Sequence, residues 1–308
     1  MRAVIQKSVG GPDVLFVAEQ PDPSPAAGEV LVRVKAAGIN PVDGAVRGGF
    51  YPLLGAPPFI LGWDISGTVE AVGAGVSGFK AGDEVFGMPR FPKQAGAYAE
   101  LAAAPADEIA IKPAGIDHVH AAALPLAGLT AWQGLVRHGR IQSRQRALIH
   151  AGAGGVGHLA VQIAKALGAH VVSTASPDKL DFVRSLGADE VIDYTSKDFT
   201  GAAGNFDLVL ETVGGDHAEA SLKVLRDGGV LVSLLNVPDA ARAKAKERNI
   251  RVERMSVTPD REGLVELAKL VDAKKLSPHV AKVFPLDQAG AAHAFLATRP
   301  IGKVVLTV

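Results

Sequence analysis

The sequence predicts an α/β chain in which a doubly wound parallel sheet occupies the middle third and a β-rich module precedes it. Three observations predict this. From about residue 121, short apolar strands alternate with amphipathic helices. One strand–helix junction carries a Gly-x-Gly-x-x-Gly run. The first hundred residues read as strands punctuated by glycine.

Taken in order, the opening MRAVIQKSVGG lacks the apolar run of a signal peptide and reads as a first strand. Glu29–Lys35 alternates, with Val30, Val32 and Val34 on one face and Leu31, Arg33 and Lys35 on the other. Ile65–Val72 continues in short strands, and Gly67, Gly73, Gly75, Gly78 and Gly82 supply the tight turns of a barrel-like module. Pro57, Pro58, Pro89 and Pro92 mark loops. Ala121–Val136 has helical spacing.

Arg146–His150 is then a strand, and Val156–Leu167 a helix with one apolar face stopped by Gly168. Strands follow at His170–Thr174, Glu190–Asp193, Asp207–Glu211 and Val230–Leu235, with helices at Asp178–Leu186 and Ala218–Leu225. Helices between strands imply parallel pairing through right-handed crossovers. Arg251–Val257 reads as the last strand of this sheet and Arg261–Ala273 as the helix leaving it; the tail ends in the strand Lys303–Val308. The domains expected are therefore 123–273 for the parallel sheet and 1–122 with 274–308 for a discontinuous β-rich domain.

Of the 308 residues, 48% are hydrophobic and 21% charged, an ordinary globular balance for a chain long enough to build two cores. Lys plus Arg and Asp plus Glu are equal at 32 each, so no long-range attraction draws nucleic acid or an anionic membrane. No apolar run reaches the length of a membrane span. The absence of cysteine removes disulfides, thiolate zinc sites and cysteine nucleophiles, and agrees with a cytoplasmic setting.

The sharpest signal is Gly152-Ala153-Gly154-Gly155-Val156-Gly157, which follows the strand ALIH and opens the amphipathic helix. In a Rossmann turn Gly152 permits the tight bend, Gly154 lets backbone approach a pyrophosphate, and Gly157 lets helix and strand pack closely. The helix start then offers N–H groups and partial positive charge to phosphate. A dinucleotide cofactor follows. NAD sites place a carboxylate roughly 20 residues after the turn, yet 153–177 contains none. Thr174 and Ser176 end the second strand instead, with Lys179 one turn on. Hydroxyls and an ammonium suit a 2′-phosphate, which points to NADPH, although Lys179 is equally what a solvated helix position carries. Asp178 follows Pro177 and is expected in a first helical turn as a dipole partner.

Seven segments stand out: AAGINPVD (36–43), GWDISGTVEAVG (62–73), AGDEVFG (81–87), AAALPLAGLTAW (121–132), AGAGGVG (151–157), LGADEVIDY (186–194) and GKVVL (302–306). Together they resemble the medium-chain dehydrogenase/reductase superfamily, in its zinc-free quinone oxidoreductase (zeta-crystallin-like) family. The resemblance implies a GroES-like catalytic domain, a Rossmann domain and an active-site cleft between them. It implies Asn40 near the nicotinamide ribose and the substrate, Thr130 toward the nicotinamide end and Tyr194 in the 2′-phosphate region. It further implies Thr212, Val213 and Gly214, with Leu234 to Asn236, along the cofactor, and Lys303 closing over it. Zinc-dependent relatives carry Cys in the segment matching AAGINPVD and a four-Cys loop; here stand Asn40 and the short link Met88–Ala97, so no metal is assigned, and the pair His118 and His120 reads as a polar helix start.

Family members often place tyrosine two residues after the Asp of this segment; here that position is Ala45, and the nearest phenol is Tyr51. Tyr51 is either a proton donor or a loop anchor, and a quinone can take its second proton from solvent. Trp63, Phe50 and Tyr51 either wall an aromatic acceptor or belong to the core. The expected activity is metal-independent hydride transfer from NADPH to a quinone or α,β-unsaturated carbonyl. The alternatives are an enoyl-thioester reductase of the same superfamily and a non-catalytic, crystallin-like NADPH-binding protein. The resemblance also implies a homodimer through an edge strand, for which Gly229–Val237 is the candidate, although its apolar run equally describes a central strand.

Overall fold

The computed structural model describes residues 1–201 and 205–308, in two compact units. The first comprises Met1–Leu129, Thr258–Ala273 and Pro278–Val308; the second, Thr130–Val257 and Lys274–Ser277.

The first unit begins β1 (Arg2–Gln6), β2 (Leu15–Glu19), β3 (Glu29–Ile39), α1 (Pro41–Arg47), β4 (Phe59–Ile60) and β5 (Asp64–Val72). It continues β6 (Glu84–Gly87), β7 (Leu101–Pro105), β8 (Ile109–Ile111), α2 (His118–Ala122) and the start of α3 (Pro125–Trp132). The second unit runs β9 (Arg146–Ile149), α4 (Gly157–Ala166), β10 (His170–Ala175), α5 (Leu180–Ser185) and β11 (Glu190–Asp193). It then adds β12 (Phe206–Glu211), α6 (His217–Val224), β13 (Leu225–Ser233), α7 (Asp239–Glu247) and β14 (Arg251–Arg254). The elements α8 (Arg261–Asp272), β15 (Val280–Pro285), α9 (Ala289–Leu296) and β16 (Lys303–Thr307) return to the first unit.

In the second unit all six strands are parallel, in the order β11-β10-β9-β12-β13-β14. This is the doubly wound Rossmann order, and its reversal between β9 and β12 opens a crevice at the strands' carboxyl ends. The helical face anticipated around Val156–Leu167 is the buried one, with Leu159, Ala160, Ile163 and Ala164 against the sheet. Gly168 ends that helix at φ +83°, a conformation that disfavours any side chain.

The first unit holds a sheet in the order β15-β16-β3-β5-β6-β8, with β7 also on β3, and a small sheet β2-β1-β4. Two registers matter for function. Gly38 of β3 lies opposite Asp64 of β5, and Ile39 opposite Val304 of β16. The sheet thus brings residues 40, 64 and 303 to one end.

Several expectations change. The helical run 121–136 breaks at Pro125, which cannot extend α2, and Gln133–His138 winds as a π-helical turn closed by Gly139 N–H on Gly134 O at 2.8 Å. Residues 64–72 form one long strand instead of short pieces. The boundary at 273 also moves. Helix α8 belongs with the first unit because Leu264 and Leu267 are fully buried there and Arg261 lies over the Phe79 ring at 4.9 Å. Gly229–Val237 is no edge, since β13 lies between β12 and β14; the edge strands are β11 and the charged β14. Among the described residues no helix is long and apolar enough to cross a membrane.

Candidate active site

At the carboxyl edge of the Rossmann sheet, β9 runs directly into the glycine turn. The bend begins at Ala151, φ +52°, and Gly152 N–H donates to Thr174 O at 2.9 Å. A Cβ on Gly152 would lie 2.1 Å from Ser173 Oγ, and one on Gly157 would lie 2.1 Å from Ala151 O. Both positions therefore exclude side chains for reasons of packing. Gly154 differs: its Cβ would meet only Ala151 O, at 3.2 Å. Gly154 N–H is bonded to Ala151 O and His158 N–H to Gly154 O. Between these lie the Gly155, Val156 and Gly157 amides, the groups a helix start offers an anion.

Thr174 is 3% exposed, and its Oγ1 accepts from Ala151 N–H at 3.0 Å, so it braces the turn from beneath. Ser176 and Tyr194 end neighbouring strands: Ala175 O accepts from Tyr194 N–H, and Tyr194 is exposed. Asp178 does sit in a first helical turn, Pro177–Lys179, but its carboxylate also takes the Ser176 hydroxyl at 2.6 Å, which holds its pKa below the usual range. Lys179 closes that turn. Thr212 Oγ1 donates to His150 O at 3.1 Å, tying the end of β12 to the turn. Val213 and Leu235 are exposed, with Leu234 half-buried and Asn236 open beside them. Thr130 is buried in α3.

His150 lies under the turn, its Nε2 3.0 Å from Ser221 Oγ and its ring edge-on to Phe199. Burial, with His217 adding to it, lowers its pKa to about 3, so it is neutral.

In the first unit a buried polar network forms where the sheet registers place it. Asn40 Nδ2 donates to Asp64 Oδ2 at 2.8 Å, and Leu126 N–H donates to Asp64 Oδ1 at 2.7 Å. Lys303 Nζ donates to Asn40 Oδ1, to Ile39 O at 3.0 Å and to Asp64 Oδ2 at 3.4 Å. All three ammonium hydrogens thus have acceptors inside the protein. Gly38 is needed beneath: a Cβ there would lie 2.3 Å from Ala122 O and 2.9 Å from Asp64 Oδ2. Asp43, in the first turn of α1, accepts from Asn40 N–H at 2.7 Å and from Tyr98 OH at 2.9 Å, and His293 Nε2 lies 3.2 Å from the same phenol. Burial raises Asp64 above the carboxylate range, against the Lys303 charge, and pushes Tyr98 well above its ordinary value.

Tyr51 is 45% exposed and Phe50 87%. Trp63 is fully buried, edge-on to Phe91 with Nε1 donating to Lys93 O at 2.7 Å, so it is a core residue and walls no site.

Two family descriptions match the chain: alcohol dehydrogenase GroES-like domain over residues 26–114, and zinc-binding dehydrogenase over 186–306. A quinone oxidoreductase from Coxiella burnetii is 36% identical, with a TM-score of 0.94, covering 100% of this chain and 99% of its own. The Escherichia coli quinone oxidoreductase complexed with NADPH is 32% identical, with a TM-score of 0.89 and full coverage of both chains. The chloroplastic NADPH-dependent alkenal/one oxidoreductase of Arabidopsis thaliana is 35% identical over 99% of this chain and 79% of its own length. The chain belongs to the medium-chain dehydrogenase/reductase superfamily, in its quinone oxidoreductase family. It is also 38% identical to part of the spectinabilin polyketide synthase system protein NorB of Streptomyces orinoci, spanning 13% of that protein's length.

Zinc, implied by one of those descriptions, does not fit the residues of this medium-chain dehydrogenase/reductase. There is no thiolate donor, and among the described residues no three His, Asp or Glu side chains gather. His118 faces Ser66 and Glu84, while His120 faces Asp117. A pyridine dinucleotide does fit: the turn is bare of side chains where phosphate would approach, and its donors are backbone amides.

Residue reasoning missed Asp43, Asp64, Tyr98, His293 and Glu211. Asn40-x-x-Asp43 before an apolar residue is a legible capping signature, and Asp64 stands out as a charge within the apolar run GWDISG. Asp43 also makes a pH prediction. Burial raises its pKa to about 7, against the hydrogen bonds from Asn40 and Tyr98. The folded chain therefore holds a proton there that the unfolded chain releases near pH 4, so its contribution is complete below that and is lost as pH rises to about 7. His293, lowered to about 3 chiefly by burial, acts oppositely: its contribution is present above about 6.5 and is lost as pH falls toward 3. Asp43→Asn should accordingly gain on wild type between about pH 4 and 7, by up to about 4 kcal/mol, and run level above. Urea midpoints across that range check it, and a difference independent of pH contradicts it.

Proposed function

We propose that this chain is an NADPH-dependent oxidoreductase that reduces a quinone or α,β-unsaturated carbonyl without a metal. The observation that carries the reading is the turn Gly152–Gly157 at the sheet's topological switch point. It lies in a chain that matches, over its whole length, an E. coli quinone oxidoreductase complexed with NADPH.

When bound, NADPH supplies the hydride. The amides of Gly155, Val156 and Gly157 hold the pyrophosphate, with Gly154 leaving room for it to approach, Gly152 shaping the turn and Thr174 bracing it. Ser176, Lys179 and Tyr194 hold the 2′-phosphate, with the Lys179 ammonium supplying the charge that favours it over a ribose hydroxyl. Thr212, Val213, Leu234 and Asn236 line the dinucleotide, and Thr130 approaches its nicotinamide end. Asn40 orients the reacting groups, and Lys303 holds the Asn40 carboxamide in one orientation. The protein's contribution is alignment and exclusion of water. Tyr51 is the proton donor for an enone, whereas a quinone can draw on water.

The test mixes purified protein with NADPH and a panel of ortho-quinones, enones and enoyl-CoA thioesters. Oxidation by a quinone or enone is expected. Faster turnover of enoyl-CoA would favour an enoyl-thioester reductase, the reading that the likeness to a polyketide synthase protein supports. Tight NADPH binding with no acceptor turned over would leave a crystallin-like binding protein. We further propose a homodimer joined through the edge strand β14; a single-chain mass in sizing chromatography would sink that.

A further inference from the structure

We infer that Glu211 is a positioning residue for the dinucleotide, a buried clamp joining the two loops proposed to line it. The inference rests on the function proposed above. Glu211 ends β12 and is fully buried. Its Oε1 accepts from Val213 N–H at 2.5 Å and Gly214 N–H at 2.7 Å. Its Oε2 accepts from Ser233 Oγ at 2.7 Å, at the end of β13, and Ser233 Oγ in turn accepts from Leu235 N–H at 3.2 Å. One side chain therefore fixes the backbone of both loops.

The loops also touch directly. Gly214 sits at φ +88°, and a Cβ there would lie 2.5 Å from Leu235 Cδ1. The clamp turns Val213 and Leu235 outward, 44% and 43% exposed, although Leu208, Val209 and Leu210 before the one and Leu231 and Val232 before the other are buried. Two outward apolar side chains on a pinned backbone make a preformed apolar surface on loops that Thr212 ties to the end of the strand leading into the phosphate turn. Preforming it spares the ordering cost at binding.

The geometry separates hydrogen bonding from charge. In Glu211→Gln the carbonyl can still accept both loop amides, and the new N–H can donate to Ser233 Oγ if that hydroxyl turns to Leu235 O, 3.1 Å away. In Glu211→Ala all three carboxylate bonds are lost, to Val213 N–H, Gly214 N–H and Ser233 Oγ. We expect Glu211→Ala to weaken NADPH binding in fluorescence titration about tenfold or more, with kcat at saturating NADPH and the acceptor KM changed less than about threefold. Glu211→Gln should bind within about threefold of wild type. In nucleotide-free protein, hydrogen exchange at Val213 and Gly214 should speed up in the alanine variant alone. An alanine variant that binds like wild type, or a glutamine variant as weak as alanine, overturns the clamp. Should the alanine variant fail to fold, Ser233→Ala removes the side-chain bond between the loops while leaving Glu211 on Val213 and Gly214, and unchanged NADPH binding there overturns the clamp equally. Wild-type protein that binds no pyridine nucleotide sinks the proposed function instead, a separate outcome.

Discussion

Replacing Gly157 by alanine is expected to weaken NADPH binding by more than about tenfold and to destabilise the second unit by about 1–3 kcal/mol. The new Cβ would fall 2.1 Å from Ala151 O, 2.8 Å from Ala151 C and 2.9 Å from Gly152 Cα. All three are backbone atoms of the turn itself, so no rotamer relieves the contact and α4 must move away from β9. Gly154→Ala is the control. Its Cβ meets only Ala151 O at 3.2 Å, so the fold should tolerate it, while the methyl group stands where backbone would approach phosphate. Thermal melts without ligand and calorimetric titration with NADPH separate the effects. Gly157→Ala should lose both stability and affinity, and Gly154→Ala affinity alone. Full affinity in both variants would remove the turn as the phosphate site.

The second large effect concerns the other unit. Lys303→Met should cost the first unit about 3–5 kcal/mol without any nucleotide present, because it leaves a buried carboxylate unpaired. Asp64 is fully buried, and the Lys303 ammonium is the cation that faces it, within an arrangement that also satisfies Ile39 O and Asn40 Oδ1. Asp64→Asn, which strands the cation instead, should be similarly harmful. The double variant should recover about 1–3 kcal/mol relative to the sum, as expected of contacting partners. Urea unfolding followed through Trp63, buried in the same unit, reads this. Wild-type stability in Lys303→Met would show that the ion pair contributes nothing, and would return Lys303 to a role confined to ligand.

Much of this was legible beforehand where the signal is local. The α4 face, its stop at Gly168 and the glycine turn each follow from neighbours within a few residues, and all appear where spacing placed them. Legibility failed where packing competes with pattern. Helix α7, Asp239–Glu247, was overlooked because its Lys- and Arg-rich run shows little apolar periodicity, with only Ala241 and Ala245 buried. The sequence leaves Trp63 between a site wall and the core, because an aromatic beside a conspicuous motif carries no mark of which way it faces, and its full burial decides for the core. The run 229–237 suits an edge and a central strand alike, because an apolar strand carries no mark of its neighbours, and the strand order makes it central.

By itself the sequence determined the alternation of strands and helices on either side of the glycine turn, the place of that turn and the absence of any thiolate metal site, since each depends on residue type and short spacing. Only the tertiary structure decided which charges meet. Asp64 and Lys303 are far apart in the chain and join through the registers of β5 and β16 on β3. Glu211 reaches Ser233 because β12 and β13 lie side by side. Sheet register is set by the whole packed core, so contacts made across it cannot be read from any stretch of sequence on its own.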